Sequence, residues 1–293
     1  MGIAKDAILG LCHADKNGFD FENVVMIGRQ SVLMDKKMIY AILEDYDLNK
    51  QESLKYIDEM FNETNVYAEG IFKYFGAKNV DSIDYSDFEG ANITHDMNVP
   101  TSDDLKNKYT IVFDGGTLEH VFNYPIAIKN AMDMVKIGGH LILITPANNH
   151  FGHGFYQFSP ELFFSLLSEY NGFTETYIFI KDDSYHWYEI RSPKVIKHRT
   201  DFSPANHSPT EIIVFSKKIA NVPDKIIVFQ SDYLDIWDAE EQLSFSPSLG
   251  GKLYRKTPNF LKPLGLSLKF WYDYLTVLKK YYKPVKDFSK PKK

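Results

Sequence analysis

The stretch YTIVFDGGTLEHVFNYPIAIKNAMDMVKIGGHLILITPANN, residues 109–149, decides the fold of this chain. An apolar run at 111–113 stops at an Asp-Gly-Gly turn, and a helical stretch leads to a second apolar run at 140–145. Short apolar runs bounded by turn residues and joined by a helical segment predict a βαβ unit. Ligands of open α/β sheets lie beyond the carboxyl ends of such strands, so this turn predicts a ligand-binding edge.

This block resembles the second half of a class I S-adenosylmethionine-dependent methyltransferase. The resemblance rests on DGGTLEHV at 114–121, after the predicted fourth strand, and on Gly138-Gly139 before the fifth. It implies an α/β fold with a Rossmann-like, doubly wound sheet of seven mostly parallel strands, the last antiparallel. It also implies S-adenosyl-L-methionine as cofactor and S-adenosyl-L-homocysteine as product.

The pattern along the chain predicts four segments. They are an N-terminal helix, a methyltransferase core, an acidic linker region and a basic aromatic extension, at 1–17, 18–218, 219–251 and 252–293. Within the core, a first strand at 22–28 precedes a helical insertion or lid at 31–75, and strands six and seven are expected at 173–181 and 210–217.

The resemblance also implies which residues bind the cofactor. In the first turn only Gly28 remains of the family's glycine-rich motif, so Arg29 and Gln30 would have to replace the missing glycines. Asp84 would accept the ribose hydroxyls and Asp96 would meet the adenine amine. Ordinary turn roles remain open for Gly28 and Asp84. The full set of expected cofactor residues is Gly28, Arg29, Gln30, Asp84, Tyr85, Asp96, Met97, Asp114, Gly115 and Gly116.

The segment after the fifth strand predicts where the methyl acceptor binds. Two histidines three residues apart lie there among glycines, amides and aromatic residues, a composition that suits a polyhydroxylated acceptor. We expect His153 to be the general base, with His150 second and His120 third. A structural hydrogen bond is the competing interpretation of each histidine. The expected substrate-binding residues are Glu119, Asn148, Asn149, Tyr156 and Gln157.

A metal site is the less favoured alternative at the same edge. His150, His153, Asp114 and Glu119 could converge around a cation such as Mg²⁺. Their spacing matches no recognised metal-binding motif, and His-x-x-His alone does not specify zinc. The sequence therefore predicts no metal.

Composition and charge limit the class of protein and its partners. A content of 44% hydrophobic residues predicts a sizeable core, and the single Cys12 excludes a disulfide within the chain. The chain lacks an apolar run of membrane-spanning length, which predicts a cytoplasmic protein.

The charge is unevenly distributed along the chain. Residues 252–293 hold twelve Lys/Arg against two Asp, a net +10, which leaves −16 on the rest of a chain whose total is −6. We expect this tail to contact an anionic membrane surface, a glycan, the protein's own acidic body or a second copy in a homodimer. Nucleic acid is not an expected partner, because the acidic body would repel phosphates.

Taken with the resemblance, these features predict a methyltransferase that O-methylates a small-molecule or nucleotide-linked sugar, as in capsule or lipopolysaccharide precursors. The alternative is a non-catalytic, methyltransferase-like binding or scaffold protein whose degenerate first turn no longer holds the cofactor. A nicotinamide-dependent sugar enzyme is disfavoured, because it needs an intact glycine fingerprint after the first strand.

Overall fold

The computed structural model describes residues 2–48, 50–182, 186–196, 208–231 and 280–285. These residues form a mixed α/β fold with a largely parallel central sheet. The strands are, in chain order, β1 (Gly2–Ile3), β2 (Asn23–Ile27), β3 (Ser31–Val32), β4 (Asn79–Asp84), β5 (Ile93–Thr94), β6 (Tyr109–Asp114), β7 (Val135–Asn148), β8 (Phe173–Lys181), β9 (Trp187–Ile190), β10 (Thr210–Lys218) and β11 (Tyr282–Val285). The α-helices are α1 (Lys5–Lys16), α2 (Lys36–Asp45), α3 (Leu54–Met60), α4 (Glu69–Phe75), α5 (Tyr124–Met134), α6 (Pro160–Leu166) and α7 (Pro193–Ile196).

The central sheet has nine strands in the order β11-β9-β8-β10-β7-β6-β2-β4-β5. The five strands from β7 to β5 are mutually parallel, and β10 lies antiparallel between β7 and β8. The predicted seventh strand is thus antiparallel as expected. The predicted number of seven strands is too small, because β9 and β11 extend the sheet beyond β8.

The apolar runs of the central strands are continuous because both faces of the sheet are covered. In β2, Val24 and Met26 pack into one core while Val25 and Ile27 pack into the other. Helices α1 to α4 contribute to the first core, and α5 and α6 contribute to the second. Burial on both faces is the usual arrangement of parallel sheets and explains why no polar alternation is seen in these strands.

The insertion between β2 and β4 forms part of the core. It contains the expected helices, and Ile39, Leu43 and Ile57 belong to the same buried cluster as alternate residues of β2 and β6. Its first residues form β3, which pairs in parallel with β1 at the N-terminus. The insertion is therefore anchored on one face of the sheet.

The Gly138-Gly139 pair lies inside β7, where the sequence predicts a turn before the strand. The strand begins at Val135, opposite Tyr109, and the register with β6 shifts before the pairing of Ile111 with His140. Gly138 has a φ of +88°, and a Cβ on Gly139 would lie 2.7 Å from the carbonyl oxygen of Thr110. The two glycines therefore form a bulge that realigns the strand.

Part of the predicted basic extension is a strand of the sheet. β11 pairs with β9, and Tyr281 and Tyr282 are almost fully buried. The predicted membrane, glycan or dimer contacts of the extension fall mainly on residues 252–279 and 286–293, which lie outside the described residues, as do positions 232–251 of the acidic linker. No helix within the described part of the chain has the length and apolar character needed to cross a membrane.

Lys218 closes the junction between α5 and β7. It is 1% exposed, and its ammonium group donates to the carbonyl oxygens of Met132, Asp133 and Val135 at 3.0, 3.1 and 2.7 Å. Burial lowers the pKa of Lys218 to about 8, so the ammonium form still predominates at neutral pH. These bonds satisfy carbonyls that the end of a helix leaves without partners.

We expect Lys218→Met to lower the free energy of unfolding by about 2–3 kcal/mol, because three carbonyl groups would lose their donor in a buried place. Urea unfolding would measure the change. The neighbouring Lys217→Met is the matched control, since this side chain is 40% exposed and its nearest acid, Glu175, is 4.0 Å away. Equal stabilities of the two variants would contradict the capping role of Lys218.

Candidate functional site

The parallel strands bring the predicted site residues to one edge of the sheet. Ile27 at the end of β2 pairs with Ile83 of β4 on one side and with Asp114 of β6 on the other. From β2 the chain continues outward through β4 to β5, whereas β6 and β7 lie on the opposite side of β2. The gap between the carboxyl ends of β2 and β6 is therefore the topological switch point, where open α/β sheets bind ligands.

Gly28 occupies a position that only glycine can fill without strain. Its φ is +71°, its N–H donates to the carbonyl oxygen of Ile83 at 2.7 Å, and a Cβ would lie 2.5 Å from Oγ1 of Thr117. The hydroxyl of Thr117 donates to the carbonyl oxygen of Ile27 at 2.7 Å. The turn after β2 is therefore packed directly against the turn after β6.

Gln30 fills much of the space beside this turn. Its side chain is fully buried, and Nε2 donates to the carbonyl oxygen of Ile27 at 2.8 Å and to Oγ1 of Thr117 at 3.1 Å. Its Oε1 accepts no hydrogen bond within the described residues and would lie 2.9 Å from a Cβ placed on Gly115. Gln30 thus links the turn after β2 to the turn after β6.

Arg29 spans the same edge from β2 to the loop after β4. Its Nε donates to Glu69 of α4 at 2.7 Å, and one terminal nitrogen donates to the carbonyl oxygen of Glu89 at 2.7 Å. The guanidinium carbon lies 4.0 Å from the ring centroid of Tyr67. The resemblance implies that Arg29 replaces a missing glycine toward the cofactor, but these three contacts are with the protein itself.

Asp84 and Asp96 lie at the ends of two adjacent strands. Asp84 pairs with Thr94, and the N–H of His95 donates to the carbonyl oxygen of Asp84 at 2.8 Å. Oδ1 of Asp84 accepts the N–H of Tyr85 at 2.7 Å, and Oδ1 of Asp96 accepts both nitrogens of Asn98. These bonds from Asn98, first its N–H and then its amide, hold the pKa of Asp96 below the usual range.

The neighbours of these two acids have different environments. Tyr85 is 74% exposed at the rim, whereas Met97 is 6% exposed and packs in the core beneath the sheet. Met97 therefore packs mainly against the core, whereas Tyr85 is accessible at this edge.

Two carboxyl groups are buried together at the end of β6. Asp114 and Glu119 are each 1% exposed, and Oδ1 of Asp114 accepts the N–H of Thr117 at 3.0 Å. Burial, followed by the charge of Glu119, raises the pKa of Asp114 well above its usual value. Burial also raises the pKa of Glu119, although nearby His153 opposes this. Oε2 of Glu119 is buried without a hydrogen-bond partner in the described residues.

Three histidines gather around Glu119. Nε2 of His153 lies 3.5 Å from Oε1 of Glu119, and Nε2 of His120 lies 4.0 Å from the same oxygen. The ring of His153 is 5.0 Å from that of His120 and 5.6 Å from that of His150. Burial, followed by the charge of His153, lowers the pKa of both His120 and His150. All four residues are candidates by sequence, and the structure brings them together.

The loop after β7 holds His153 over Glu119. The N–H of Phe155 donates to the carbonyl oxygen of Glu119 at 2.8 Å, and a Cβ on Gly154 would lie 2.9 Å from Cγ of Glu119. Gln157 accepts the N–H of His150 at 2.9 Å, and the hydroxyl of Tyr156 donates to the carbonyl oxygen of Phe122 at 2.7 Å. Tyr156 and Gln157, expected to bind substrate, therefore shape the loop.

The remaining predicted amides lie where this loop leaves β7. Asn148 ends the strand opposite Thr210, and it is half-buried. Asn149 is exposed and has a φ of +60°, with its amide nitrogen donating to the carbonyl oxygen of Ser208 at 3.1 Å. Both residues therefore join the loop to the segment that begins β10.

Two further groups near the histidines are not among the sequence candidates. Phe122 is 75% exposed and meets Phe155 edge to face at 6.2 Å, which gives the site an aromatic rim. Glu211 of β10 lies close enough to His153 for that imidazole to lower its pKa, although burial has the larger, opposite effect and the pKa of Glu211 is raised. Phe122 directly follows the EHV segment, so the sequence could have indicated that it lies near the histidines. Glu211 comes from a distant strand, so no local pattern indicated it.

Comparisons with known proteins give only distant likenesses. No protein-family model matches the chain, and no curated protein matches it. Among solved structures, a protein of Bacillus halodurans described as a candidate methyltransferase has 12% identity over 72% of this chain and 99% of its own, with a TM-score of 0.39. A phosphoethanolamine N-methyltransferase of Haemonchus contortus, solved with phosphoethanolamine and S-adenosylhomocysteine, has 13% identity over 80% of this chain and 48% of its own, with a TM-score of 0.34.

A branched-chain polyamine synthase of Thermus thermophilus, solved with N4-aminopropylspermidine and 5'-methylthioadenosine, has 10% identity over 78% of this chain and 62% of its own. Its TM-score is 0.37. At such low scores the likenesses carry no argument about activity. The strand order and the residues at the sheet edge are therefore the features of this chain that indicate a function.

The buried acid pair predicts a pH-dependent stability. When folding raises the pKa of a carboxyl group, the free energy of unfolding falls as the pH rises. The fall begins near the unfolded-state pKa, about 3.9, and ends above the folded-state pKa. Asp114→Asn has no charge to bury at that position. We therefore expect the stability of this variant, relative to the unchanged protein, to increase as the pH rises from about 4 toward the raised folded-state pKa of Asp114.

Urea unfolding across this pH range, without divalent cations, would measure the difference. Asp87→Asn is the control, because Asp87 is an exposed acid of the loop after β4. A stability difference for Asp114→Asn that stays constant with pH would show that the carboxyl group is not held against its charge.

Proposed function

We propose that this protein is an S-adenosylmethionine-dependent methyltransferase that transfers a methyl group to a hydroxyl of a sugar or glycan precursor. The observation that carries the proposal is the topological switch point between β2 and β6, with acidic residues at the strand ends on either side of it. The resemblance of the DGGTLEHV segment to the methyltransferase family selects this cofactor among the nucleotides that bind at such edges.

The nucleoside half of the cofactor fits the residues at β4 and β5. Each of Asp84 and Asp96 uses only Oδ1 for hydrogen bonds within the described residues. The second oxygen of Asp84 is available to a ribose diol, and that of Asp96 to an adenine amine. A charged acceptor makes these bonds stronger than neutral ones.

The amino-acid half would extend toward the end of β6. Oε1 of Gln30 is a buried acceptor without a donor in the described residues, and the ammonium group of the cofactor tail would supply one. A sulfonium cation beside Asp114 and Glu119 would also favour their charged forms. Because Gln30 is fully buried, this contact requires the turn after β2 to move outward.

The histidine cluster and its aromatic rim support a hydroxylated acceptor. In methyl transfer the acceptor oxygen forms a bond to the methyl carbon as the carbon–sulfur bond breaks, and the hydroxyl proton must pass to a base. His120, His150 and His153 lie at the edge where the acceptor would approach. The exposed rings of Phe122, Phe151 and Phe155 offer faces for a sugar, and a nucleotide-linked precursor of capsule or lipopolysaccharide type is the acceptor we favour.

Isothermal titration with S-adenosylhomocysteine tests the cofactor. We expect one site per chain, and we expect Asp84→Ala to weaken binding by about 1–3 kcal/mol, roughly 5- to 150-fold in Kd, because the ribose hydroxyls lose a charged acceptor. The exposed Asp87→Ala, three residues along the same loop, is the matched control and should bind normally.

The absence of binding at millimolar S-adenosylhomocysteine in the unchanged protein would reject the methyltransferase and favour the scaffold alternative. Normal binding by Asp84→Ala would instead reject only the role of that carboxylate.

The acceptor can be sought by measuring S-adenosylhomocysteine release with a panel of nucleotide-linked sugars. With an active acceptor, His153→Ala should lower turnover about 10²–10⁴-fold and leave cofactor affinity unchanged, because the histidine cluster acts on the acceptor. The control is His186→Ala, which removes an exposed imidazole that also contacts a carboxylate, Asp182, at 3.1 Å. Near-normal turnover by His153→Ala would remove this residue from the mechanism.

A further inference from the structure

Glu119, His120 and His153 form a compact group of ligand atoms at the edge of the sheet. One carboxylate oxygen and one ring nitrogen from each histidine all lie within 4.8 Å of one another. Glu119 is 1% exposed, whereas the side chains of His120 and His153 are 38% and 51% exposed. The group therefore has a buried carboxylate as its floor and two imidazoles at the surface.

The separations are close to those that a metal ion would impose. Metal–ligand bonds of about 2.1 Å at tetrahedral angles place neighbouring ligand atoms about 3.4 Å apart. The two measured distances from Oε1 of Glu119 are 3.5 Å to His153 and 4.0 Å to His120. The ligand nitrogens of His120 and His153 lie within 4.8 Å of each other, so binding an ion requires these two exposed imidazoles to rotate toward it.

A second observation points to a ligand at the same place. Oε2 of Glu119 is buried and has no hydrogen-bond partner in the described residues, and neither has the buried Nε2 of His150. The ring of His150 lies 5.6 Å from that of His153. A buried carboxylate with one unsatisfied oxygen is costly unless a cation or a donor completes it.

We propose that Glu119, His120 and His153 bind one divalent transition-metal ion. Imidazole ligands favour zinc, iron or nickel over magnesium, which prefers an all-oxygen shell. Three protein ligands leave at least one coordination position open, as in catalytic rather than structural sites.

The proposed metal site differs from the expectation, drawn from sequence spacing, that no metal is bound. Glu119 and His120 are adjacent in sequence and His153 follows 33 residues later, a pattern that no short motif describes. Metal binding by itself does not depend on methyl transfer. Its role does rest on the proposed function: an acceptor hydroxyl in the open position would have its pKa lowered by the ion. In that case His153 is a ligand, and His150 is the nearest imidazole left to accept the proton.

The test is a titration of the full chain with metal ions alone, after removal of metals by a chelator. Zn²⁺ and Ni²⁺ would be followed by calorimetry, and Co²⁺ by its visible absorption, which reports nitrogen and oxygen coordination. We expect one ion per chain. Glu119→Gln, His120→Ala and His153→Ala should each weaken binding by at least about 100-fold, since even residues that only orient a ligand contribute 10- to 100-fold.

His186→Ala is the matched control and should leave metal affinity unchanged, because it removes an exposed imidazole–carboxylate contact far along the chain. His120→Ala and His153→Ala alter partly exposed side chains, so their folding, checked by circular dichroism, should persist even if Glu119→Gln destabilises the core. The ion should also raise the Tm of the unchanged protein and not that of these variants.

Failure to bind any of the three ions, or equal binding by His153→Ala, His120→Ala and the unchanged protein, would overturn the metal site. A loss of affinity in His186→Ala as large as in His153→Ala would do the same, because it would indicate adventitious surface binding. Metal binding without binding of S-adenosylhomocysteine would leave the metal site standing and reject the methyltransferase.

Discussion

The burial of two carboxyl groups at the end of a core strand is the constraint on which the site depends. Asp114 ends β6 with 1% exposure, and Glu119 lies in the following turn with the same exposure. Burying two carboxylates next to each other is unfavourable, because each charge loses its hydration and repels the other. This raises the pKa of both groups. Such an arrangement usually persists because it serves binding or catalysis, at the expense of stability.

The loops around these acids are built to hold them in place. Thr117 joins the turn after β6 to that after β2, and the backbone of Phe155 fixes the loop after β7 on the carbonyl of Glu119. The side chains that reach Glu119 are imidazoles, which can be neutral, charged or metal-bound. At this edge, buried carboxyl groups held by backbone contacts therefore lie beneath partly exposed imidazoles.

The sequence predicted the central sheet well because burial on both faces leaves a continuous apolar signal. The spans of β2, β6, β8 and β10 follow it closely. Strands β9 and β11 could not be predicted in this way. β9 lies in a polar connection, and β11 comes from a lysine-rich tail whose buried Tyr281 and Tyr282 look like surface residues in that context. Similarly, the sequence could not indicate which residues hold Arg29 and Gln30, because their partners, Glu69 and Thr117, are 40 and 87 residues away.

The histidine cluster offers ways to complete the unsatisfied carboxylate of Glu119. A carboxylate with a raised pKa and an unsatisfied oxygen can be completed by a proton, by a protonated imidazole or by a metal ion. A proton removes the charge and with it the attraction for the histidines. A protonated His153 satisfies one oxygen, but it adds a positive charge beside His120 and His150, whose pKa values it lowers. A divalent ion would bind the carboxylate and two neutral imidazoles together, which is why we propose an ion rather than a proton for this group.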